Sequence, residues 1–77
     1  MKISKSTLSL AKKVWAGREE GRHGWKKHYN RFITIEPMRD ECGDYLLVTL
    51  TNKVDSLGYC FGNVLDTEIL DRDDIEG

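Results

Sequence analysis

Residues 29–51 read YNRFITIEPMRDECGDYLLVTLT, and this stretch decides the fold. Tyr29–Pro37 and Tyr45–Thr51 are rich in β-branched and aromatic residues, while Asp40-Glu41-Cys42-Gly43-Asp44 between them is polar and contains glycine. Two such runs joined by a short polar connection predict an antiparallel hairpin. Pro37 has no N–H to give to a ladder, so it either ends the pairing of the first strand or stands at a sheet edge. Tyr45–Thr51 is the best candidate for a central strand.

Toward the C-terminus, Leu57–Leu65 is expected to supply a third strand, with Gly58 and Gly62 leaving room for a bulge or a close backbone approach. Asp66–Asp71 fits either a short helix capped by Asp66 or a fourth strand, and residues 72–77 are expected to form a frayed acidic tail. Toward the N-terminus, residues 6–16 predict an amphipathic helix. Thr7, Leu8, Leu10, Ala11, Val14 and Trp15 share one stripe at helical spacing, and Ser4, Ser6 or Thr7 can cap it. Gly17 stops the helix, or Gly21 does after one further turn. Gly21–His28 holds two glycines within four positions and predicts a loop. The expected fold is therefore α+β, an N-terminal amphipathic helix packed on a three- or four-stranded antiparallel meander, in one small domain spanning 1–77.

A chain of 77 residues has room for one modest core, which rarely supplies more than about 3–5 kcal/mol net. Homodimerisation, a metal or a bound partner is one way to supplement it. The basic start never builds the continuous apolar segment of a secretory signal, and no apolar span reaches membrane-crossing length, so a cytoplasmic location without membrane contact is expected. Cys42 and Cys60 are accordingly expected as thiols.

Charge is divided along the chain. Residues 1–39 carry ten Lys and Arg against three Glu, whereas residues 40–77 carry two against ten Asp and Glu. Such polarity points to charged partners or to pairing between the halves. The basic side concentrates in the segment 18–31, where Arg18, Arg22, Trp25, Lys26, Lys27, Tyr29 and Arg31 combine cations with aromatic rings. That composition fits a protein interface anchored by Trp and Arg, and it also fits stacking and phosphate contact with single-stranded nucleic acid. On the acidic side, Asp66, Glu68, Asp71, Asp73, Asp74 and Glu76 suit a basic groove built for nucleic acid.

Catalytic patterns are weak. Arg18-x4-His23 pairs groups able to stabilise phosphoryl charge and move protons, but no predicted element forces them together with a third group, and no glycine-rich loop precedes a helix. Zinc is a further candidate. His23, His28 and Cys60 converge in the expected topology, with Asp55 as a fourth ligand, while Cys42 belongs to the turn at the far end of the hairpin. Loop histidines and a buried thiol are the ordinary alternative, and no cofactor is expected.

These readings favour a non-enzymatic protein-binding module that inhibits or modulates a larger nucleic-acid-handling protein. Phage-encoded anti-restriction and anti-CRISPR proteins share this profile of small size, charge polarity and absent catalytic motifs, which would place the chain in a host cytoplasm. A small nucleic-acid-binding regulator using residues 18–31 is the alternative, and a zinc-binding protein the third reading. The net charge of −1 weighs against direct nucleic-acid binding.

Overall fold

The computed structural model describes all 77 residues, ordered as α1 (Lys5–Ala16), one 3-10 turn (Arg18–Glu20), β1 (Gly24–His28), β2 (Arg31–Asp40), β3 (Gly43–Thr51), β4 (Val64–Leu70) and α2 (Arg72–Glu76). The strands form one antiparallel sheet in the order β1-β2-β3-β4, the expected meander. The fold is α+β, with α1 packed on one side of an open sheet.

Helix α1 starts where Ser4 takes the cap position and its Oγ accepts the Thr7 N–H at 3.2 Å. Of the predicted stripe, Thr7, Ala11, Val14 and Trp15 are buried, and Leu8 and Leu10 lie half-buried beside them. Side chains alternate across a strand, so the register Ile33↔Leu50 and Ile35↔Val48 places all four residues on one face. Leu46 on the same face is paired with Leu70 of β4. Ala11, Val14, Trp15, Ile33, Ile35, Leu46, Val48, Leu70 and Ile75 form the buried core. Each of the larger aliphatic side chains contributes about 1.5–3 kcal/mol by leaving water.

Three expectations need correction. Gly21–His28 is not a loop throughout, because Gly24–His28 forms β1. Gly24 is there for packing: a Cβ on it would lie 3.0 Å from Val14 Cγ2 and 3.1 Å from Leu10 Cδ1, so the missing side chain lets α1 cross β1 closely. The second correction concerns Leu57–Leu65. No strand begins at Leu57; residues 52–63 are a loop, and β4 starts at Val64. Asp55 directs this loop by accepting the Leu57 and Tyr59 N–H groups on Oδ1, and Gly58 turns it with φ at +87°. Asp66–Asp71, for which helix and strand both remained open, joins β4 as far as Leu70.

The third correction is at the acidic end, where residues 72–76 are not a frayed tail but a short helix. Asp71 and Asp74 cap each other reciprocally, Ile75 is only 7% exposed, and Trp15 Nε1 donates to Glu76 Oε1 at 2.9 Å. Pro37 behaves as one of its two readings required. Strand β1 reaches only to Ile35, so β2 is a sheet edge from Glu36 onward, and a residue without N–H breaks no bond to β1 there.

Candidate functional site

The face of the sheet opposite α1 is built from the other half of each strand's alternation. Its rows run Trp25–Thr34–Thr49–Thr67, then Glu36–Leu47–Ile69, then Met38–Tyr45. No helix covers it. Loop 52–63 folds back over its β1 side, where Gly58 lies against the Trp25 ring and Tyr59 stacks on His23 with ring centroids 4.0 Å apart. The remainder is open, and Trp25 (46%), Met38 (38%) and Ile69 (58%) expose much of their surface. Val64 and Leu65 on β4 and Leu57 and Phe61 in the loop are exposed as well. Exposed apolar groups gathered on one side, rather than scattered singly, mark interaction surfaces.

The basic segment does not act as one patch. Arg18 is turned inward: its Nε donates to Asp44 Oδ2 at 3.0 Å, its Nη1 donates to the Trp15 carbonyl at 2.8 Å, and its guanidinium lies 3.9 Å over the Trp15 ring. It is therefore a structural tie between the end of α1 and β3, not a free contact residue. Arg22 stays exposed near the start of β1. Lys26 projects on the α1 side of the sheet and donates to Ser6 Oγ, whereas Trp25 and Lys27 project on the open side. Tyr29 and Arg31 are exposed at the β1–β2 turn, and Tyr29 adopts left-handed backbone with φ at 58°.

The acidic residues are likewise divided. Asp66 and Glu68 lie on the α1 side of β4 and hold the Met1 ammonium at 3.4 and 3.2 Å, which raises its pKa above the usual amino-terminal value. Asp71 and Asp74 cap α2, while Asp73 and Glu76 remain exposed. Around the same end of the sheet, Asp40, Asp44, Asp71, Asp73, Tyr45 and Ile69, with the one cation Arg72, border an open groove of about 550 Å³. Hydrogen bonds from Arg39 first, then Arg18, hold the Asp44 carboxyl at a pKa of about 2. Arg39 also reaches Glu19 at 3.6 Å, so four charges join the 3-10 turn to the β2–β3 hairpin.

The zinc arrangement does not assemble. His23 precedes β1 and His28 ends it, so five residue steps of about 3.3 Å put about 16 Å between their backbones. His23 Nε2 lies 2.6 Å from the Leu57 carbonyl and His28 packs edge-on to Tyr29. The Cys60 thiol donates to the Gly62 carbonyl. No three His, Cys, Asp or Glu side chains stand close enough together to hold one ion. Cys42 occupies the β2–β3 turn, at the opposite end of the sheet from His28 as expected, and both cysteines are free thiols.

Met38, Tyr45, Leu47 and Ile69 were absent from the residues singled out by sequence. Their signal was the alternation itself: in a sheet with one helix, the apolar residues out of phase with the core face have no partner within the chain. No helix is long and apolar enough to cross a membrane. Compared with known proteins, the chain matches no protein-family model, no curated protein and no solved structure.

Proposed function

We propose that this chain is a non-catalytic protein-binding module that docks through the helix-free face of its sheet and modulates a larger nucleic-acid-handling protein. The observation that carries this reading is the open apolar face, where Trp25, Met38 and Ile69 are exposed around half-buried Tyr45 and Leu47. A partner covering it removes that surface from water, and the Trp, Met and Tyr on it are residue types enriched at interface centres. The choice of partner class rests on charge. The groove at one end of this face gathers Asp40, Asp71 and Asp73 from distant parts of the chain around the single cation Arg72, a net negative field suited to the basic channel of a protein that holds nucleic acid. The profile of phage-encoded anti-restriction and anti-CRISPR proteins remains the closest functional analogy.

Direct nucleic-acid binding through residues 18–31 is the weaker reading. Arg18 is spent on Asp44, Lys26 and Lys27 point to opposite sides, and the exposed Arg22, Trp25, Lys27, Tyr29 and Arg31 are spread from the start of β1 to the β1–β2 turn. Capture from a bacterial lysate by the wild-type chain, beside Met38→Asp and Ile69→Asp variants shown by circular dichroism to be folded, tests the proposal. Enrichment of a nucleic-acid-processing protein that both variants lose is the expected result. Retention of that partner by the variants refutes the face, and salt-sensitive oligonucleotide binding without a protein partner replaces the reading with the direct one.

A further inference from the structure

The two edges of the sheet carry opposite charge and matching geometry. Both hairpins close with two-residue turns, His28↔Arg31 and Asp40↔Gly43, and the closing pair of such a turn is hydrogen-bonded. Bonded and non-bonded pairs alternate, so Lys26↔Ile33 and Thr34↔Thr49 are bonded pairs while Trp25↔Thr34 and Thr49↔Thr67 are not. Trp25 and Lys27 therefore direct their backbone groups away from β2, and Thr67 and Ile69 direct theirs away from β3. The Thr67 N–H agrees, since it donates to the side chain of Asp66 at 2.9 Å instead of to β3. The free edge of β1 carries Lys26, Lys27 and His28; the free edge of β4 carries Asp66 and Glu68, whose partner within the molecule is the Met1 ammonium that a second copy's Lys26 would join or displace, and β4 itself contains no Lys or Pro.

We infer that β1 of one molecule pairs with β4 of a second copy of this chain, edge to edge and antiparallel, continuing the sheet from molecule to molecule. One register satisfies every constraint: Gly24 opposite Leu70, Trp25 opposite Ile69, Lys26 opposite Glu68, Lys27 opposite Thr67 and His28 opposite Asp66. The outward-directed pairs Trp25–Ile69 and Lys27–Thr67 then face each other, as antiparallel hydrogen bonding requires. Lys26–Glu68 and His28–Asp66 meet on the α1 side, and Trp25–Ile69 meets on the open side, where it joins apolar surface to apolar surface. Strand β4 runs opposite to β1 within the molecule, so the added copy keeps its helix on the same side.

Pairing like edges is disfavoured. Two β4 strands centred on Thr67 put Asp66 opposite Glu68 twice, and two β1 strands centred on Lys26 put that lysine opposite itself. Head-to-tail pairing is heterologous, so it yields a concentration-dependent series instead of one closed dimer. The division of charge along the sequence thereby becomes a division between two complementary edges. This inference shares Trp25 and Ile69 with the proposed docking face, but its test does not, because Lys26 and Glu68 lie on the other side of the sheet.

Sedimentation velocity over a concentration series, at low and high salt, tests it. The wild-type chain is expected to associate beyond the 8.9 kDa monomer, more weakly as salt rises. Lys26→Glu and Glu68→Lys are each expected to weaken association about tenfold or more. An equimolar mixture of the two restores it, because every edge again meets its opposite. The double variant in one chain also associates like the wild type, which separates loss of pairing from loss of folding. A monomer at every concentration overturns the inference, as does a mixture no better than its components. Association unchanged by Lys26→Glu and strengthened by Glu68→Lys indicates β4–β4 pairing, and salt-insensitive association indicates stacked apolar faces; either result overturns it too.

Discussion

Replacing Trp15 with alanine probes how α1, the 3-10 turn and α2 are held on the sheet. The side chain is only 4% exposed, and burial of a ring this size removes roughly 150–250 Å² from water, worth about 4–6 kcal/mol at about 25 cal/mol per Å². Measured truncations of large aromatics cost less, about 3–5 kcal/mol, because the site partly collapses. The ring also serves as the platform for Arg18 at 3.9 Å, worth about 0.5–1 kcal/mol, and its Nε1 donates to Glu76. A core of this size supplies about 3–5 kcal/mol in total, so Trp15→Ala is expected to leave the chain largely unfolded at 25 °C. Trp15→Phe keeps most of the apolar area and loses the indole N–H, and is expected to cost about 1–2 kcal/mol. Urea titration followed by far-ultraviolet circular dichroism measures both. A Trp15→Ala chain that unfolds within about 1 kcal/mol of wild type, or a phenylalanine variant as damaged as the alanine one, refutes the packing described for α1.

Other variants test other parts of the structure. Deleting residues 72–77 removes buried Ile75, the Asp71–Asp74 cap and the Glu76 contact, and should lower stability by about 2–3 kcal/mol in the same titration; an unchanged midpoint returns the segment to a frayed tail. Gly58→Ala places a methyl group against the Trp25 ring at a left-handed φ, so it should cost about 1–2 kcal/mol and shift Trp25 fluorescence, while an unperturbed spectrum contradicts the docked loop. Asp44 has its carboxyl pKa lowered from 3.8 to about 2, so its contribution to stability is complete above the unfolded value and is lost as pH falls through the folded one. Stability of the wild type should fall more than that of Asp44→Asn between pH 4 and pH 2; parallel pH profiles contradict the pairing with Arg39 and Arg18.

The meander was legible because its signals were local. Tyr29–Thr51 alternated between two strands and a glycine-containing turn, and the spacing of Thr7, Ala11, Val14 and Trp15 marked the helix face. The errors came where a residue's role depends on a distant neighbour. Gly24 reads as a loop former until Val14 and Leu10 are seen to need its missing Cβ. Leu57–Leu65 has strand composition, yet the Asp55 side chain and the left-handed Gly58 turn its first half away from the ladder. Residues 72–76 look like a solvated acidic tail until Trp15, sixty-one positions earlier, supplies the donor for Glu76. At the site, composition gathered Arg18, Lys26 and Lys27 into one cluster that strand alternation and Asp44 take apart. Met38, Tyr45, Leu47 and Ile69 carry no motif, and only the register shows that they share a face.

In the proposed function, the helix-free face is the surface that meets a partner. Hydroxyl-radical footprinting of the chain, free and bound to the protein it captures, reads that surface side chain by side chain. The prediction is new protection at Met38, Tyr45, Leu47 and Ile69, with the solvent side of α1 at Lys5, Lys12 and Lys13 unchanged. Protection confined to the lysines of α1, with the open face oxidised as readily as before, contradicts it.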